Sequence, residues 1–263
     1  MDIVDVKGSR VVGSVTGLLK IRGIALSPDP NVVFTSNAAA GTVTAIDVSK
    51  RQVVKTINIG REPDAIMYDA ANDIIVVSMG AGRKVDLIDR TTFKLLGSVD
   101  TPGVPELMDM DQKAGRVFLA INDKDEVVVI DVASRQITTT YKGCDIAIPT
   151  GVAYEPDQGR LYVASRPGNN RELNVIDIVL DRCLGAVDIG FGTDQIAINP
   201  HTHHIYAANG GSKNMSVIDI NSLKPLGVVG TGPEAKGLAV DPTTDRVYVI
   251  VGRAGMIAVF HDP

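Results

Sequence analysis

The sequence predicts an all-β fold, a six-bladed propeller of four-stranded antiparallel blades, and three observations carry that expectation. An apolar residue followed by Asp closes a short alternating run at Ile46-Asp47, Ile88-Asp89, Ile130-Asp131, Ile176-Asp177 and Ile218-Asp219, with intervals of 42, 42, 46 and 42 between the Asp residues. Within each period four β-type segments follow one another, separated by Gly, Pro, Asn and Asp. No helical periodicity of useful length interrupts them. Short strands repeated at this spacing are the signature of propeller blades, because radial repetition lets each sheet bury both faces against its neighbours.

The elements follow in order. Stepping back 42 residues from Asp47 reaches Val4-Asp5, and stepping on from Asp219 reaches Phe260-His261, a copy with His in place of Asp. The first full unit reads Gly23-Ile24-Ala25-Leu26, Val32-Val33-Phe34-Thr35, Thr42-Val43-Thr44-Ala45-Ile46 and Gln52-Val53-Val54-Lys55-Thr56-Ile57. Its first segment recurs as Ala65-Ile66-Met67-Tyr68, Gly151-Val152-Ala153-Tyr154, Gln195-Ile196-Ala197-Ile198 and Gly237-Leu238-Ala239-Val240. Small residues there suit a crowded axis, and β-branched residues suit the wider space between blades. First, second and fourth segments each occur six times, which gives six blades in one domain over residues 1–263. The last blade is expected to borrow residues 10–15 as its outer strand, closing the ring and removing a free edge. Residues 2–5 then form a surplus third-strand copy, and a seven-bladed ring, the alternative, needs one more inner pair than the six copies supply.

Composition agrees with this design. Hydrophobic residues make up 44% of the chain but aromatics only 4%, with no Trp, so the core is built from Val, Ile, Leu and Ala in many similar layers. A net charge of −5 without a Lys/Arg run gives no pull toward nucleic acid or anionic lipid, and neither is expected as a partner. No stretch of about 18 apolar residues is present to insert into a membrane. The first residues lack the basic and apolar blocks of a signal peptide, an expectation of cytoplasm as written and of periplasm or exterior if a leader was removed. Cys144 and Cys183 fall at opposite ends of neighbouring outer strands, beyond the separation of about 7 Å that a disulfide allows. Two buried thiols are expected.

The second strand ends as Val33-Phe34-Thr35-Ser36-Asn37, Leu161-Tyr162-Val163-Ala164-Ser165, Ile205-Tyr206-Ala207-Ala208-Asn209 and Val247-Tyr248-Val249-Ile250-Val251. Together with Gly60-Arg61-Glu62-Pro63 before a first strand and the Val-Ile-Asp close, this resembles the YVTN family of β-propellers, found in prokaryotic surface-layer and periplasmic proteins. The resemblance spans essentially the whole chain and implies a blade rather than a chemistry. The Trp-Asp pair of WD-repeat proteins is missing.

Function in a propeller is expected on the loops around the channel mouth, held by a rigid scaffold. The repeat places Arg22, Asp64, Glu106, Thr150, Asp194 and Lys236 at one equivalent position beside the first strand, as a ring with an acidic arc and two cations. Asn37, Asn122, Arg166, Asn209 and Arg253 come from the second set of loops on that face. Insertions in residues 144–149 and 166–172 account for the interval of 46 and favour that sector as a binding side. Such a mouth suits a small polar ligand, a glycan or a protein, or a divalent cation such as Ca²⁺ or Mg²⁺ on Glu106, Asp194 and Asp64. Six-bladed lactonases hold a metal at the mouth through Glu, Asn and Asp, and Glu106, Asn122 and Asp194 or Asp64 correspond by fold analogy only.

Other constellations carry less. His201-Thr202-His203-His204 falls in a turn on the far face without the Cys or carboxylate spacing of a zinc site, and is expected to be a solvated turn. His261 replaces the strand-end Asp. Without a mouth-facing His, nucleophilic hydrolysis lacks its base. The expected function is therefore a monomeric, non-enzymatic binding or scaffold propeller. The alternatives are a metal-dependent lactonase, isomerase or lyase, and a module of a longer surface-layer chain.

Overall fold

The computed structural model describes residues 1–166 and 172–262. It is an all-β propeller of six antiparallel blades, and its described residues contain no α-helix, only two 3-10 turns at Asn122–Lys124 and Gly252–Ala254. β1 (Asp2–Asp5) and β2 (Arg10–Ser14) form a two-stranded sheet by themselves. The first blade follows as β3 (Ile21–Leu26), β4 (Val32–Asn37), β5 (Thr42–Asp47) and β6 (Gln52–Asn58). The second is β7 (Pro63–Asp69), β8 (Ile74–Met79), β9 (Lys84–Asp89) and β10 (Leu95–Asp100); the third is β11 (Pro105–Asp111), β12 (Arg116–Ile121), β13 (Glu126–Asp131) and β14 (Gln136–Lys142). The fourth is β15 (Pro149–Glu155), β16 (Arg160–Ser165), β17 (Glu172–Asp177) and β18 (Arg182–Asp188); the fifth is β19 (Thr193–Asn199), β20 (His204–Asn209), β21 (Asn214–Asp219) and β22 (Lys224–Gly230). The sixth has three strands, β23 (Ala235–Asp241), β24 (Arg246–Val251) and β25 (Met256–His261).

The hydrogen-bond ladders give the N-terminal strands a different arrangement from the expected one. Arg10 pairs with Asp5 and Ser14 with Asp2, so β2 lies beside β1, and β25 pairs only with β24. The expected exchange of residues 10–15 into the last blade is thus not part of the sheet order. β1 and β25 are two separate copies of the third strand rather than rivals for one place.

Contacts gather the chain into two compact units. Unit 1 holds Met1–Glu106, Met110–Val117 and Ile130–Thr138, and unit 2 holds Leu107–Asp109, Phe118–Val129 and Thr139–Pro263. In unit 1 the core packs Ala25, Phe34, Val43, Ile66, Ile75 and Ile88 between neighbouring sheets. In unit 2, Tyr162, Leu173, Val175, Ile196, Ile205 and Ile218 do the same. Burial on both faces is what makes β8, β12, β16 and β20 largely apolar, while β4 is buried toward its end on the polar Thr35, Ser36 and Asn37.

The Asp that closes each third strand has a definite task. Asp47 accepts from the Ser49 hydroxyl, the Lys50 backbone and the Lys50 ammonium at 2.7, 2.9 and 2.7 Å. Asp89, Asp131, Asp177 and Asp219 accept from backbone N–H groups three residues on at 2.6 to 2.9 Å. A second row closes the first strands, where Asp111, Glu155, Asn199 and Asp241 accept from backbone N–H groups at 2.8 to 3.2 Å. Each satisfies donors that a tight turn leaves unpaired, which is why the repeat spells Asp there.

Two expectations are corrected. Cys144 and Cys183 are joined in a disulfide with Cα atoms 5.4 Å apart. The inserted residues explain it: Cys144, Asp145 and Ile148 adopt left-handed backbone angles, φ 53°, 58° and 44°, and fold the segment back along the next blade. There the Cys144 carbonyl accepts from Asn174 Nδ2 at 2.9 Å, and Cys183 pairs with Ile176 two positions along the same strand. Alignment by period assumed a connection that runs straight between blades. The histidine turn is likewise not merely solvated. His201 Nδ1 lies 2.9 Å from Asp245, and His204 Nδ1 lies 2.7 Å from Asp262, whose carboxylate also accepts from the buried Tyr206 hydroxyl.

Candidate functional site at the leading ends of the first strands

The six residues aligned by the repeat occupy one structural position. Arg22, Asp64, Glu106, Thr150, Asp194 and Lys236 are each the second residue of β3, β7, β11, β15, β19 and β23. In five of those strands the register shifts at this point, between Ile21 and Gly23, Pro63 and Ile66, Pro149 and Val152, Thr193 and Ile196, and Ala235 and Leu238. Such bulges re-aim side chains that a regular ladder would hold up or down. The shared position is therefore set by backbone geometry as well as by sequence spacing.

Within unit 1, Arg22 is exposed while Asp64 and Glu106 are half-buried. The Asp64 carbonyl accepts the hydroxyl of buried Ser36, whose oxygen in turn accepts the Gly23 N–H at 2.9 Å. One hydroxyl thus locks the start of β3 to the start of β7. Ser78 repeats half of that arrangement, accepting the Ala65 N–H at 3.0 Å. Both serines stand where the later blades have Ala120, Ala164 and Ala208.

Within unit 2 four of the expected residues come together. Arg166 Nη2 pairs with Asp194 at 3.1 Å, both groups about a third exposed. Thr150 is buried, and its hydroxyl donates to the Thr193 carbonyl at 3.0 Å, doing from the first strand what Ser36 does from the second. Asn122 Nδ2 donates to the Pro149 carbonyl at 3.3 Å. Lys236 is exposed at the start of β23, and the nearby Arg253 pairs with Glu234 at 3.2 Å. Most of insertion 166–172 lies outside the described residues.

Two of the three asparagines from the second set of loops, Asn37 and Asn209, are held within their own blades. Asn37 Nδ2 donates to Thr42 and Thr44 hydroxyls at 3.1 and 2.9 Å, and Asn209 Nδ2 to Asn214 Oδ1 and the Ser216 hydroxyl, both at 2.9 Å. Among the described residues no group of three or more His, Cys, Asp or Glu side chains is arranged to hold a metal ion. Spacing alone missed the hydroxyl locks, although a polar Ser at a position that three other blades fill with Ala and the sixth with Ile250 was a usable signal.

Fold and site together define a repeat-built β-propeller whose first strands begin in bulges carrying polar side chains. The family model of the YNCE-like beta-propeller matches residues 15–255, and the chain belongs to that family. The YVTN-type resemblance of its second strands holds accordingly. No curated protein matches the sequence significantly.

Solved structures show the fold at low identity. A chain of Kuenenia stuttgartiensis hydrazine synthase superposes with a TM-score of 0.88 at 16% identity, covering 98% of this chain and 88% of that one. A chain of a mitotic checkpoint complex gives 0.84 at 13%, with coverage of 98% and 81%. The Cps50 (Swd1) beta-propeller domain of Myceliophteria thermophila gives 0.83 at 10%, with coverage of 100% and 90%.

Proposed function

We propose that the chain is a non-enzymatic binding or scaffold propeller that presents the leading ends of its first strands to a protein, a glycan or a small polar ligand. The carrying observation is the Arg166–Asp194 pair, held on a bulge and still about a third exposed, above a framework locked by Thr150 and Asn122. An opposed cation and carboxylate on a rigid base match hydroxyl and zwitterionic groups, which need both a donor and an acceptor. Pairing with Arg166 also leaves Asp194 neutralised within the chain, which favours this reading over a divalent cation as the first occupant.

The test is a glycan array together with thermal-shift titrations of Ca²⁺, Mg²⁺ and EDTA. Glycan binding that Asp194→Asn combined with Glu106→Gln weakens, while the melting temperature stays unchanged, supports the proposal. A saturable Ca²⁺ or Mg²⁺ shift accompanied by lactone hydrolysis overturns it in favour of a metal-dependent enzyme.

A further inference from the structure

The disulfide and the exposed ion pair of unit 2 belong to one connected structure. Cys144 lies in residues 143–148, the connection between β14 and β15, and its bond to Cys183 fastens that connection to β18. The connection then runs beside the end of β16. There the Ala147 N–H donates to the Ser165 hydroxyl at 3.1 Å, and the Ala147 carbonyl accepts the Arg166 N–H at 3.1 Å. Ser165 donates in turn to Asn174 Oδ1, and Asn174 Nδ2 donates to the Cys144 carbonyl at 2.9 Å. Ser165 and Asn174 are 2% and 0% exposed, so the circuit from Cys144 to Arg166 is shielded from water.

The far end of the connection is fixed on the turn between β12 and β13. The Ile148 N–H donates to Asp125 Oδ1 at 2.7 Å, and Asn122 Nδ2 reaches the Pro149 carbonyl. Arg166 is thus held through its backbone by the connection, while its guanidinium pairs with Asp194.

Backbone preference does not hold this path. Cys144, Asp145 and Ile148 all carry a Cβ and all sit in the left-handed region, which a β-branched residue such as Ile148 resists most. The path therefore depends on the ties along it, and the covalent one is within reach of solvent. Cys183 is exposed and Cys144 half-buried, and exposed disulfides are the readily exchanged ones.

We propose that the Cys144–Cys183 disulfide is a redox gate on the Arg166–Asp194 site. Its use rests on the binding role proposed above, and its working rests on the geometry of unit 2 alone. The reductant is a dithiol. One of its thiolates attacks Cys183 Sγ, and Cys144 Sγ leaves as a thiolate; the second thiol of the reductant then displaces Cys183 from the mixed disulfide. The bond between the two cysteines breaks and one forms within the reductant, two electrons pass to the cysteine sulfurs, and the two protons of the dithiol end on Cys144 and Cys183. Residues 143–148 then relax from their left-handed turns, the Ala147 carbonyl withdraws from the Arg166 N–H, and the guanidinium loses its fixed place opposite Asp194. The oxidised protein presents a preorganised pair, and the reduced protein must order it on binding.

The test compares amide hydrogen exchange of the intact protein before and after dithiothreitol, with Cys144→Ser combined with Cys183→Ser as a form that cannot respond to reductant. Reduction is expected to lower the protection of the Ala147, Ile148 and Arg166 amides about tenfold or more, while those of β19 and β20 stay within about twofold. The double variant should show the low protection with and without dithiothreitol. Unchanged protection on reduction overturns the proposal. So does a loss spread evenly over unit 2, which marks the bond as a general staple. Binding is read separately: a glycan found on the array is expected to bind the reduced protein about tenfold more weakly than the oxidised one. Equal binding in both states overturns the gate and leaves the binding role standing. Local release of Arg166 in a protein that binds nothing on the array removes the binding role and supports the gate.

Discussion

Single hydroxyls carry blade-to-blade attachment in this chain. Ser36 is fully buried, accepts from the backbone of its own blade and donates to the backbone of the next. Removing the oxygen takes a partner from two part-buried backbone groups at once, so Ser36→Ala is expected to cost about 1–2 kcal/mol in denaturant unfolding. A change at the exposed Lys236, which carries no comparable bond in the framework, should stay within about 0.5 kcal/mol. At this scale the sequence was informative about position but not about use. The alignment found the common place of Arg22, Asp64 and Thr150, yet Thr150 looks identical on paper whether its hydroxyl meets a ligand or the Thr193 carbonyl. Burial decides between these, and burial depends on the neighbouring blade.

At the scale of elements, strand edges were legible because turn chemistry punctuates them. The run Val32-Val33-Phe34-Thr35 became Val32–Asn37 and Thr42-Val43-Thr44-Ala45-Ile46 became Thr42–Asp47, extended by the residues that cap the following turns. The disulfide was not legible, because an insertion of a few residues changes where a connection runs without changing the period. The bridge spans 39 residues of unit 2. Chain-entropy arguments assign a loop of that size about 4 kcal/mol, commonly less in practice. Cys183→Ser is accordingly expected to destabilise the protein by about 2–4 kcal/mol, and wild type under dithiothreitol should match the variant in chemical denaturation. A disulfide is also the one element that speaks to compartment, since such bonds persist in oxidising surroundings.

For the molecule as a whole, the repeated turn carboxylates couple stability to acid. Hydrogen bonds from Thr244 and Thr243 hold Asp241 down to about 2, and that from Lys50 holds Asp47 well below the usual range. The Ser134 and Ser222 hydroxyls lower Asp131 and Asp219, and the Thr92 N–H lowers Asp89. Each depressed group binds its proton more readily in the unfolded chain, so its stabilisation is complete above the unfolded value near 4. That stabilisation drains away as pH falls from about 4 toward 2. Melting temperature measured against pH should be level above about 5 and fall steeply below 4, with a shallower fall for Asp241→Asn. The six blades were readable at this scale, since a 42-residue period is insensitive to single residues. The strand count left residues 2–5 as a surplus third strand and gave residues 10–15 to the last blade, and only the ladders showed β2 beside β1.

The same period has a bearing on synthesis. Neighbouring first strands touch one repeat apart, β3 on β7, β15 on β19 and β19 on β23, so no blade there waits for a distant segment to find its neighbour. A ribosome releasing about 5–20 residues per second delivers one repeat every few seconds. Hairpins close in about 1–10 microseconds. Each blade can thus close long before the next emerges, and a nascent chain exposes roughly one unfinished apolar sheet face at a time.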